Sequence, residues 1–278
     1  MRKIKLVKAG LPTLEGAGVR LHRAFGYYDT QNFDPFLMLD DFRNDDPDDY
    51  LAGFPWHPHR GIETITYMLD GSAEHGDSIG NKGTIRKGEV QWMTAGSGII
   101  HQEMPKPDKQ GRMYGFQLWA NLPASHKMIK PRYQNIKASQ IPAVHTDNGI
   151  TIKLICGCFM GVSGPVKDII IDPQFWDISF PPQTQITLPA PSGYTCVIYC
   201  YDGDSVIDAQ RISNRQVVLF EDGKNISIQA GTGGVRILFL CGKPLGEPIS
   251  WRGPIVMNTK EEIQKAFQEL DEGSFIRK

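Results

Sequence analysis

Apolar and polar residues alternate along this chain in short runs bounded by turn residues. Thr64-Ile65-Thr66-Tyr67-Met68, Met113 to Trp119, Val197-Ile198-Tyr199 and Val235 to Phe239 are examples. A period of two places successive side chains on opposite faces of an extended backbone, so these runs predict strands. Asp70-Gly71 and Asp202-Gly203 close such runs with the residues that hairpins require. The period becomes helical only near the C-terminus. There Thr259 and Glu262 form a capping-box pattern, Ile263, Ala266, Phe267 and Leu270 follow at helical spacing, and Gly273 is a stop. Many short strands, with 29 Gly and 19 Pro, predict an all-β fold of sandwich or barrel type with one short C-terminal helix. The polar stretch Asn121 to Pro142 reads as a linker and divides the chain into domains 1–135 and 136–278.

The halves echo one another. Gly61 to Gly71 runs from strand into turn, and Gly193 to Gly203 repeats the pattern 132 positions later. Ala95-Gly96-Ser97-Gly98 returns as Ala230-Gly231-Thr232-Gly233 at an offset of 135. Two echoes in one order predict an internal duplication.

Composition narrows the function classes. A net charge of −1 gives no general electrostatic grip on nucleic acid. No apolar run reaches the ~18 residues of a membrane span, and the charged N-terminus lacks a signal peptide's apolar core. An odd count of 5 cysteines suits a reducing compartment, so a cytoplasmic monomer is expected, or a nuclear one in a eukaryote. The buried thiols are expected to be structural, including Cys196 and Cys200 on one strand face. The acidic run Asp40, Asp41, Asp45, Asp46, Asp48 and Asp49 reads as a solvated loop, and His75 as a surface residue.

All 7 histidines lie at or before His145, which confines imidazole chemistry to the first half. His57 and His59 stand two apart around Pro58, so on a strand both rings share a face. His101 and Glu103 repeat that spacing. On neighbouring strands these four converge as three neutral nitrogens and one carboxylate, a donor set for one divalent transition metal. Iron, manganese, nickel, copper and zinc all fit such donors, and an octahedral ion would keep two positions open for substrate and a small molecule. At the two offsets the four map onto Pro189, Pro191, Arg236 and Leu238, so the second domain is expected to hold no metal.

These residues resemble the cupin superfamily and, more narrowly, the pirin family. Phe33 to Phe42, Phe54 to Thr64, Thr94 to Glu103 and Gly253 to Thr259 carry the resemblance, which spans almost the whole chain. It implies two cupin jelly-roll barrels in tandem, with Fe(2+) held in the N-terminal one by His57, His59, His101 and Glu103. It also implies cleavage of the flavonol quercetin with dioxygen, as in quercetin 2,3-dioxygenases. Glu103 would then serve as ligand and catalytic base. Glu63, a ligand in general cupins, and Gln117 are placed beside the pocket, with aromatic residues near Trp56, Trp92 and Phe116 as its floor. The resemblance implies an alternative too, a redox-sensing iron protein that acts as a cofactor of transcription regulators or other partner proteins, and a net charge near zero fits partner-protein binding better than direct DNA contact.

Overall fold

The computed structural model describes residues 1–277. Its strands begin with β1 (Ile4–Ala9), β2 (Leu11–Glu15), β3 (Val19–Phe25), β4 (Phe36–Asp41), β5 (Phe54–His59) and β6 (Ile62–Asp70). Then come β7 (Ser72–Asp77), β8 (Lys82–Arg86), β9 (Val90–Thr94), β10 (Ile99–Lys106), β11 (Tyr114–Asn121) and β12 (Arg132–Ile136). β13 (Ala143–His145), β14 (Thr151–Cys156), β15 (Cys158–Phe159), β16 (Val162–Ser163), β17 (Gln174–Phe180) and β18 (Gln185–Pro189) follow. The last are β19 (Thr195–Ile207), β20 (Gln210–Ser213), β21 (Gln216–Phe220), β22 (Asn225–Gly242), β23 (Ser250–Arg252) and β24 (Ile255–Met257). The helices are α1 (Thr30–Phe33) and α2 (Lys260–Asp271). In α2 Thr259 and Glu262 close the predicted capping box, and Gly273 takes φ +71° at its end. No helix among the described residues is long and apolar enough to cross a membrane.

The chain forms two compact units. The first comprises Pro12–Tyr28, Phe36–Ala138 and the chain from Leu245 onward; the second comprises Met1–Leu11, Asp29–Pro35 and Ser139–Pro244. Each unit therefore draws on more than one segment of the chain. β1 pairs with β21 as an edge strand of the second unit. In the first unit α2 buries Ile263 and Ala266 against Ile255, Met257 and Phe275. The expected linker also holds structure, because β12 pairs with β9 and Lys127 is buried.

The units share one topology. The first has a seven-stranded sheet, β12-β9-β6-β11-β4-β3-β2, and a four-stranded sheet, β5-β10-β7-β8. In the second, β1-β21-β19-β22-β17-β14-β13 repeats the larger sheet. The long strands β19 and β22 run on to pair with β20 and β18, so β18-β22-β19-β20 repeats the smaller one. The duplication is real, but its register differs from the sequence offsets. Gly71 and Gly203 take φ +74° and +70° at equivalent bends. Just beyond them Glu74 faces Met104 and Val206 faces Gln229. Counting back along β10 and β22 sets His101 level with Ile226 and Glu103 level with Ile228. The pair His57–His101 then corresponds to Leu188–Ile226, and His59 to Ala190. The expected counterparts Pro189, Pro191, Arg236 and Leu238 are thus corrected to Leu188, Ala190, Ile226 and Ile228. The echo misled because Ala95–Gly98 is a turn, whereas Ala230–Gly233 lies inside β22.

The interiors differ accordingly. The four corrected positions belong to one continuous apolar core in the second unit. The first unit has separate apolar clusters, one around Leu21, Met68 and Ile85 and one around Leu37, Ile62 and Ile99. Cross-strand register also lines up Arg23, Asp40, Gln117, Thr66, Gln91 and Asn135 in one row of its large sheet. Asp40 and Asp41 are buried in β4 rather than solvated, because Arg23 and Arg43 each clasp one of them with two hydrogen bonds. Cys196 and Cys241 oppose each other across β19 and β22 and form a disulfide, against the expectation of free thiols.

Candidate metal centre

β5 and β10 are antiparallel neighbours, and His57 lies directly opposite His101. Pro58 keeps β5 extended, so His57 and His59 reach the same side. The Nε2 atoms of His57 and His59 are 3.0 Å apart, as are those of His101 and His57. The Nδ1–H of His57 donates to the Pro55 carbonyl at 2.8 Å, and that of His59 to the Pro254 carbonyl at 3.0 Å. A proton fixed on Nδ1 leaves the Nε2 lone pair pointing inward, the tautomer a metal requires. His101 Nδ1 is buried with no hydrogen-bond partner among the described residues. Burial, with the neighbouring imidazoles, holds His59 and His101 well below the usual histidine pKa. The three rings are a group that can hold a metal ion.

Glu103 stands apart from that triad. The register of β5 and β10 shifts after His101, so that Glu103 faces Phe54. The extra residue on β5 is a bulge, which re-aims the side chains around it. The buried Glu103 carboxylate accepts from Thr66 Oγ1 at 2.9 Å and from Gln117 Nε2 at 2.8 Å. Gln117 Oε1 in turn accepts from Trp119 Nε1 at 3.1 Å, which fixes the orientation of the amide. Glu63 is not part of this assembly. It precedes Thr66 by three residues, so it lies on the opposite face of β6, where it accepts from Thr94 at 2.6 Å. His75 is buried, not superficial, and its Nε2 lies 2.9 Å from Gln91 Nε2.

Beside the triad is a cavity of about 610 Å³ whose walls include His57, His59, Asp40, Gln117, Trp119 and Trp251. The His59 and Trp119 rings meet edge to face at 5.0 Å, and Trp119 is 5.7 Å from Trp251. The expected aromatic floor is corrected in part. Trp56 is at the cavity, but parity turns Phe116 away from Gln117's face and Trp92 away from Gln91's. Trp119 was readable, because it follows Gln117 by two on the same strand. Nothing in the sequence tied Asp40, Trp251 or Pro254 to the site, since only tertiary folding brings them there.

A family model described as Pirin matches residues 18–120, and one described as Pirin C-terminal cupin domain matches residues 175–276. A pirin-like protein of Caulobacter vibrioides is 44% identical over 273 residues, with 98% of each chain covered. The crystal structure of a quercetin 2,3-dioxygenase from Acinetobacter baumannii superposes with a TM-score of 0.92 at 33% identity, covering 99% of this chain and 98% of that one. A bacterial pirin from Escherichia coli, solved in complex with nickel(II), superposes at 0.67 with 24% identity, covering 86% of this chain and 99% of that one; it supports the fold alone.

Proposed function

This chain belongs to the pirin family, and from that premise we propose that it is a metal-dependent dioxygenase of quercetin 2,3-dioxygenase type, acting on a planar flavonol with dioxygen. One observation carries the reading: three imidazole nitrogens meet, with His57 and His59 in the wall of an aromatic-lined cavity large enough for such a molecule. His57, His59 and His101 are the three neutral donors, and the Glu103 carboxylate, which lies outside their group in this structure, is assigned as the fourth ligand once the ion is bound. Iron is the proposed metal. A divalent transition metal bound there lowers the pKa of a substrate hydroxyl and offers a redox centre for dioxygen.

The remaining work falls to side chains of this protein. Trp119 and Trp251 give the flavonol a flat apolar surface beside His59. Glu103 takes the proton from the hydroxyl that turns toward the triad, as a carboxylate base within the same site. Thr66 and Gln117 hold that carboxylate in place through two hydrogen bonds. The test is incubation with quercetin under air and under nitrogen, with metal content verified by elemental analysis. Loss of the flavonol absorbance only under air is expected. An unchanged spectrum under air, with one iron per chain, overturns the activity.

A further inference from the structure

We infer that the C-terminal segment Ser250–Phe275 clamps the metal-ligand strand β5, and that the buried cations Lys127 and Arg60 are positioning residues for His59. The inference rests on the metal reading of the triad. Its first strut is the Pro254 carbonyl, which accepts the Nδ1–H of His59 and so sets the direction of Nε2. Pro254 is itself held by its neighbours. Ile255 bridges to Arg60, and the Val256 amide donates to the Arg60 carbonyl at 3.1 Å.

Lys127 ties the two backbones together. Its ammonium donates to the Gly61 carbonyl at 2.9 Å and the Val256 carbonyl at 3.0 Å, with Asn121 Oδ1 at 2.7 Å as a third acceptor. The approach is close enough that a Cβ at Gly61 would lie 2.0 Å from the Val256 oxygen, and Gly61 has φ +78°. Only glycine suits that position. Arg60 draws the other parts in. Its Nε donates to the carbonyl of Ser97, in the turn that leads to His101, at 2.7 Å. Its Nη2 donates to the Phe275 carbonyl at 3.0 Å and pairs with Glu269 of α2 at 2.7 Å. The guanidinium also lies over the Phe275 ring at 4.1 Å. Both cations are almost wholly buried, at 1% and 2% exposure for Lys127 and Arg60. Two buried cations spanning a ligand strand, a ligand turn and a terminal helix exceed what packing a helix requires. Groups that orient ligands in this way control metal affinity about 10–100-fold.

The test is titration of the metal-free full chain with Co2+, reading its dissociation constant and its visible absorption band. Lys127→Met should weaken Co2+ binding by roughly 10-fold or more and alter the band, and Glu269→Gln should act in the same direction. Ile85→Val, a core change in the same unit, should lower thermal stability and leave Co2+ affinity unchanged. If Lys127→Met does not fold, Glu269→Gln carries the test through the same two readings. Wild-type affinity and band shape in both variants, or equal weakening by Ile85→Val, overturns the clamp alone. A wild-type chain that takes up no Co2+ overturns the clamp together with the metal reading.

Discussion

At the scale of single residues, the site depends on how buried polar groups are matched. Gln117 satisfies Trp119 with its oxygen and Glu103 with its nitrogen, so it links the aromatic wall to the carboxylate. Gln117→Leu keeps the volume but leaves Trp119 Nε1 and one Glu103 oxygen unpaired. It is expected to cost about 1–3 kcal/mol in denaturant unfolding and to lower quercetin turnover roughly 10-fold or more. Lys127 presents a different balance. Burial pushes its pKa from 10.5 down to about 7, with Glu247 and Glu262 opposing the change. Between those two values the unfolded chain therefore binds a proton that the folded one does not. Lys127 must become less unfavourable to the fold as pH rises through that window, by about 1.4 kcal/mol for each step of one in pH. Stability measured at a pH just below the window and again well inside it should rise more in the wild type than in Lys127→Met. Parallel pH profiles would contradict the lowered pKa of the buried lysine.

At the scale of elements, strands with strict parity were the most legible part of the chain. The i, i+2 spacing of His57 with His59 and of His101 with Glu103 predicts that each pair shares a strand face, and the strands that carry them, β5 and β10, are neighbours. What spacing cannot reveal is the bulge on β5 opposite Gln102, or the hydrogen bonds from Thr66 and Gln117 that engage the Glu103 carboxylate away from the three rings. Parity could have excluded Glu63, Phe116 and Trp92, since each is an odd number of residues from a partner that faces the site. Pro254 and Trp251 were illegible for another reason: their approach to β5 depends on the tertiary course of the C-terminal segment. Helix α2 was legible because its signals are local. Thr259 accepts from the Glu262 amide while the Glu262 side chain accepts from the Thr259 amide. Thr259→Ala should cost about 1 kcal/mol, seen as a thermal midpoint a few degrees lower. No change in that midpoint would mean that α2 is held entirely by its buried face.

At the scale of the whole molecule, the two units show one topology carrying two kinds of interior. Where the first unit has His57, His59, His101 and Glu103, the second has Leu188, Ala190, Ile226 and Ile228, all buried in apolar contact. The exchange is chemically consistent. Removing a metal while keeping its ligands would leave buried polar groups without partners, whereas apolar replacements fill the same space and add to the core. The first unit retains the polar row and accepts a core divided around it. Metal should therefore bind one unit only. Elemental analysis is expected to give one ion per chain, and His101→Ala to give close to none. Because the ion binds the folded state, it should also stabilise the wild type by about 2.7 kcal/mol at 100 times its dissociation constant. The same metal concentration should leave the unfolding of His101→Ala unmoved. Two ions per chain would show that the second interior conceals donors despite its apolar lining. A metal-dependent rise in the stability of His101→Ala would show that the ion is held outside the triad.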